Sequence, residues 1–161
     1  MKLSFGMIFS IILIIIFLVF AFYVIGKFLD MKGSVEAGKF IGSLQTDVDK
    51  MWKSSQGSYS NPDGYFLPTK VEAVCFADYL SDKRGKDSDK YRTLKQSYDN
   101  EQNIFFYPVG SGQGLDSAKI EHLNIEKITE NRNPFCIESS KGKISLTITK
   151  NFDDSLVVVA E

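Results

Sequence analysis

Phe5–Gly26 reads FGMIFSIILIIIFLVFAFYVIG, 22 residues without a charge. At 1.5 Å per residue a helix of this length spans roughly 33 Å, enough for the hydrocarbon core of a bilayer. Isoleucine and valine are indifferent helix formers in water. In lipid the backbone must satisfy its own hydrogen bonds, so helix prevails. Lys2 and Lys27 bracket the run, and Tyr23 stands where an interfacial aromatic belongs. A cleaved secretory signal has an apolar core of about 7–15 residues that ends in small residues. This run is longer, and its end (Phe20 to Gly26, FAFYVIG) has no A-x-A pattern. The expectation is a retained single-pass anchor over residues 1–29, with the lipid bilayer as its partner.

Beyond the anchor, apolar residues recur at Phe28, Met31, Val35, Ile41, Leu44, Val48, Met51 and Trp52, in steps of mostly three and four. That is one face of an amphipathic helix. Ser54, Ser55 and Gly57 stop it, ahead of an Asn61-Pro62-Asp63-Gly64 turn. One helix is therefore expected from about residue 4 to about 54, with residues 30–56 forming a stalk. Small residues repeat along it at Ser34, Gly38, Gly42 and Thr46, and Gly6 and Ser10 make a shorter version inside the anchor. Such a strip either faces the protein's own β domain or lets a second helix approach closely. The second alternative implies self-association, or another membrane protein, as partner.

Residues 57–161 change period. Lys70–Tyr79 (KVEAVCFADY) suits a buried strand, Asn103–Val109 (NIFFYPV) another, with Pro108 marking a sheet edge. Ser81–Gln102 is dense in charge and reads as a long loop with one helical turn around Tyr91–Tyr98. Gly110, Gly112 and Gly114 make a connector, and Ile120, Leu123, Ile125 and Ile128 fit a strand pair or a helix. Pro134–Ser139, Lys143–Lys150 and Ser155–Ala160 read as three strands joined as a meander. In the second, Ile144, Leu146 and Ile148 alternate with Ser145, Thr147 and Thr149, one face buried and one wet. The fold class is α+β: a long N-terminal helix, first transmembrane and then amphipathic, followed by a small, mostly antiparallel β head.

The charge around the anchor does not orient it. Lys2 and the α-amine lie on one side, and Lys27, Lys32 and Lys39 on the other with Asp30 and Glu36 between them. Cys75 and Cys136 decide instead. Each lies in a strand-like segment, and they are 61 residues apart. Outside the cytoplasm they would form a disulfide, adding about 4 kcal/mol by loop entropy; otherwise they are two buried thiols. The head is placed outside the cytoplasm, with the disulfide favoured.

The chain carries no catalytic or cofactor signature. A formal charge of −1 gives no electrostatic reason to expect nucleic acid. The spacing of Gly110, Gly112 and Gly114 is neither a dinucleotide fingerprint nor a phosphate loop. Asp87-Ser88-Asp89 lacks the glycine and distal glutamate of a calcium loop, and Asp153-Asp154 falls in a turn. His122 is the only histidine; a metal site would need it to converge with Cys75 and Cys136, and no triad can be built around it. No enzymatic activity, cofactor or metal is expected.

KLSFGMIFSIILIIIFLVFAFYVI, Trp52-Lys53-Ser54-Ser55, Leu67–Phe76 (LPTKVEAVCF), Cys136-Ile137 and the closing strands together resemble uncharacterised single-pass membrane proteins of archaea. That resemblance implies an archaeal source and a surface-facing domain, and it brings no activity. The layout also resembles type IV pilin-like proteins, which polymerise through apolar N-terminal helices. Gly6-Met7 stands at the cleavage position this implies, preceded by Phe5 instead of a basic residue, and Ile11 occupies the place where many bacterial pilins have Glu. Three functions follow as expectations. The first is a membrane-anchored extracytoplasmic interaction or envelope-structure protein without enzymatic activity. The second is a pilin-like subunit or minor assembly factor. The third is a tethered module that binds a small ligand or peptide in an aromatic cleft.

Overall fold

A computed structural model describes residues 5–99 and 101–161. Lys2, the amino-side bracket of the apolar run, lies outside the described residues. Helix α1 (Phe5–Lys53) matches the expected extent. The chain divides into two units, Met1–Lys32 and Gly33–Glu161. In the first, the large apolar side chains from Phe5 to Met31 are exposed. Lys27 Nζ lies 6.0 Å from the Tyr23 ring centroid, a cation–π pair at the polar end of the run.

In the second unit the helix buries Ala37, Phe40, Leu44, Val48 and Met51, spaced by three and four, into the main core. Its end is held from the head: Lys150 Nζ donates to the carbonyls of Trp52 (2.6 Å) and Ser54 (2.9 Å), groups a helix terminus leaves without partners.

The strands are β1 (Gly57–Ser60), β2 (Tyr65–Phe66), β3 (Ala73–Phe76), β4 (Ile104–Tyr107), β5 (Ser117–Ala118), β6 (Phe135–Glu138), β7 (Lys143–Ile144), β8 (Thr147–Lys150) and β9 (Val158–Ala160). They form three antiparallel sheets, in orders β5-β4-β3-β6, β1-β8-β9 and β2-β7. The four-stranded sheet is covered on both faces. Val74, Phe76, Ile104, Phe106, Phe135 and Ile137 join the core under α1. Ala73, Cys75, Phe105 and Cys136 face a second core with Tyr79, Tyr91 and Leu94. Burial on both faces explains why Lys70–Tyr79 is nearly continuous in apolar residues. Burial also pushes the Tyr98 phenol up to about 12, so it packs against this cluster as a neutral ring.

Several local expectations are corrected. The charged Ser81–Gln102 segment holds a ten-residue helix, α2 (Ser88–Ser97), which buries only Tyr91 and Leu94; two apolar residues three apart are a faint helical signal. Pro108 marks no edge. Strand β4 pairs with β3 and with β5, and Pro108 follows the last ladder residue, where its missing N–H costs no pairing. The closing strands are not one meander. Strand β6, apolar on both faces, enters the four-stranded sheet, β7 pairs with β2, and only β8 and β9 form the expected hairpin. The Lys143–Lys150 alternation holds, with Ile144, Leu146 and Ile148 buried. The undecided Ile120–Ile128 segment contains α3 (Ile125–Ile128), capped by the Asn124 side chain, which accepts from Lys127 N–H at 3.0 Å. The Asn61–Gly64 turn forms as expected, with Gly64 at φ +67° and its N–H donating to Asn61 O at 3.0 Å.

Candidate interaction surface

Helix α1 is long and apolar enough, by length and composition, to cross a membrane. The Ser10 hydroxyl, deep in the apolar run, is satisfied locally, since Ser10 Oγ donates to Gly6 O at 2.9 Å. In hydrocarbon that bond removes the cost of an unpaired polar group.

The strip of small residues serves different ends along its length. Ser34 Oγ donates to Gln113 O, and Gly33 lies against the Gln113 side chain. A Cβ on Gly38 would meet Leu115 Cδ2 at 3.6 Å. This stretch therefore seats the head's own glycine loop. That loop is held from within, for Asp116 accepts from the N–H groups of Gly112 (2.6 Å) and Gly114 (3.3 Å). Two N–H groups that a phosphate would need are already bound to a carboxylate, and a Cβ on Gly112 would lie 2.8 Å from Phe106 Cδ2. Gly42 and Thr46, one helical turn on, remain exposed, and Thr46 Oγ1 donates to Gly42 O at 2.8 Å.

Gly42 and Thr46 line an open groove of about 550 Å³ with Lys39, Ser43, Asp47, Lys50, Tyr59 and Asn61. Tyr59 is its single aromatic, so it is not an aromatic cleft. Asp47 is buried at the groove wall. It accepts from Tyr65 Oη at 2.7 Å and from Lys50 Nζ at 3.3 Å. Burial and then the Asp47 carboxylate hold the Tyr65 phenol far above its ordinary range, so Tyr65 stays a hydrogen-bond donor.

Cys75 and Cys136 form a disulfide, directly opposite each other on β3 and β6 and fully buried. Bonded to each other, they offer no thiolates to share a metal with His122. Among the described residues no three His, Cys, Asp or Glu side chains gather to hold a metal. His122 stands elsewhere, at φ +66°, its ring stacked on Trp52 with centroids 3.8 Å apart. His122 Nδ1 is 3.1 Å from Asp49 Oδ1, which also accepts from Gln45 Nε2 at 2.8 Å. The Gln45 bond and then the His122 bond hold the Asp49 carboxyl below its usual range. Trp52 Nε1 donates to Ser155 O at 3.1 Å, tying the helix end to the approach of β9.

One member of each remaining acidic pair has a structural partner. Asp87 precedes α2, buried, 2.8 Å from Lys90 Nζ. Asp154 accepts from Lys127 Nζ at 3.1 Å and from Asn151 Nδ2 at 2.7 Å. Sequence reading missed the groove and the Trp52–His122–Asp49 cluster. Both join residues distant in sequence; the nearest available signals were the exposed small residues at Gly42 and Thr46 and the single Trp and His.

Comparison with protein-family models, curated proteins and solved structures finds no match to this chain.

Proposed function

We propose that the chain is a single-pass membrane protein whose disulfide-bonded head lies outside the cytoplasm and serves interaction or envelope structure without enzymatic chemistry. One combination supports this most: the exposed apolar segment of α1 stands in the same chain as a buried Cys75–Cys136 disulfide. An exposed apolar helix needs lipid or a partner to cover it, and a disulfide persists in an oxidising compartment. The test is alkaline extraction of native membranes, followed by intact mass with and without reduction before alkylation. The proposal expects the protein in the pellet and two alkyl groups gained only after reduction. Release into the supernatant, or alkylation without reduction, would count against it.

The layout of α1 favours a second reading, a pilin-like subunit. Its first part is apolar and exposed, and Ala37 to Met51 underlies antiparallel sheets. Assembly would then run through the N-terminal helices. A mature protein beginning at Met7 is the expected sign; an intact Met1 with monomeric behaviour in detergent would dismiss it.

A further inference from the structure

The three-stranded sheet ends in a strand that lies beside helix α1. Strand β1 is its end strand and pairs with β8 alone among the described residues. Alternate residues of an antiparallel strand direct their N–H and C=O groups to opposite sides. Half of the backbone groups of Gly57–Ser60 therefore point away from β8. All four residues are exposed, and the sequence GSYS has neither a charge nor a proline. Natural sheets guard such an edge with lysine, proline, a bulge or a covering element. Only its shortness guards this one.

The groove lies alongside that edge. Gly57 abuts the helix at Met51, where a Cβ would lie 3.4 Å from Sδ, and Tyr59 and Asn61 line one side of the groove. Its floor is Gly42, Ser43 and Thr46, and a Cβ on Gly42 would meet nothing within 4 Å. Lys39 and Lys50 stand at its two ends. The helix rises about 16 Å over the eleven steps from one to the other, the length of roughly five residues of extended chain. Asp47 is the one carboxylate among the lining residues, and its oxygens are already bonded to Tyr65 and Lys50. The lining thus carries a net positive charge, with Lys39 at one end and Lys50, 73% exposed beside its Asp47 partner, at the other, and it is small-walled between.

We propose that this groove binds an extended acidic peptide segment of another polypeptide. The segment adds a strand to the free edge of β1 and brings carboxylates to Lys39 and Lys50. Main-chain bonds to β1 supply affinity and the two lysines supply selectivity, the usual division of work in strand addition. A second copy of this chain fits less well, because edge-to-edge pairing would set the lysines of each copy against those of the other. The proposal deepens, and rests on, the reading of the head as an interaction module.

The test uses the full chain, isotope-labelled in detergent micelles, titrated with the acetylated, amidated peptide Glu-Val-Thr-Val-Thr-Val-Glu and with its counterpart bearing Lys at both ends. Saturable amide shifts are expected at Gly57–Asn61 and along Lys39–Lys50, with the acidic peptide bound roughly tenfold more tightly. The double variant Lys39→Glu/Lys50→Glu should reverse the preference, a result that loss of folding cannot mimic. Gly42→Trp should abolish binding while the spectrum of the β3–β4–β6 sheet stays unchanged. Equal affinity for both peptides, no shift at β1 with either, or a β1 edge already occupied by a second copy on sedimentation would overturn the proposal. A chain that fails here yet stays membrane-integral and disulfide-bonded leaves the anchored-protein reading standing.

Discussion

Two side chains show how the end of α1 is fixed. Lys150, on β8, replaces water at the carbonyls of Trp52 and Ser54 with a charged donor, which suits the negative end of a helix. Lys150→Met keeps the stem and removes the donor; it should cost about 1 kcal/mol in urea unfolding of the full chain in micelles. Asp49 acts on the same turn through pH. Its folded carboxyl is depressed below the ordinary 3.8 by Gln45 and His122. The stability it adds is therefore fully present above the unfolded value and is lost as pH falls through the folded one. Between pH 5 and pH 2 the thermal midpoint of the wild type should fall more than that of Asp49→Asn, by a small margin because the pair is solvent-screened. Neither residue was marked by the sequence as important. Lys150 and Asp49 each lie among other charged side chains, and no local pattern tells a capping lysine from a solvated one.

At the scale of elements, legibility followed periodicity. Helix α1 was readable to within a residue or two because its apolar steps of three and four persist over many turns, and the Asn61–Gly64 turn because its residues are chosen for their backbone conformations. Helix α2 was not, since Tyr91 and Leu94 alone carry its buried face. Strand partners were the least legible. Strand β6 is separated from β3 by α2, β4, β5 and α3, and nothing near Phe135 says that Phe76 is its neighbour. The cysteines supplied the one long-range clue, and their bond falls on directly opposed residues of those two strands. Closing a loop of sequence separation 61 restricts the unfolded chain, so Cys75→Ala/Cys136→Ala should lower unfolding stability by about 4 kcal/mol. The denaturant midpoint of the double variant should match that of reduced wild type. Because both sulfurs are fully buried, dithiothreitol without denaturant should act no faster than the protein opens.

For the whole molecule, the sequence spoke about place more plainly than about partners. An uncharged run of 22 residues has few readings, whereas the groove beside β1 exists only once residues 39–50 and 57–61 are brought together by the fold. The small residues at Gly42 and Thr46 hinted at a contact surface, and the structure separates them in role from Ser34 and Gly38, which carry the head's own loop. The central claim is that this head faces away from the cytoplasm. Phe152, 74% exposed at the β8–β9 turn, offers a site to test it in a chain whose two native cysteines are bonded to each other. Intact cells bearing Phe152→Cys should be labelled by a membrane-impermeant maleimide as fully as permeabilised cells; labelling that appears only after permeabilisation would contradict the claim.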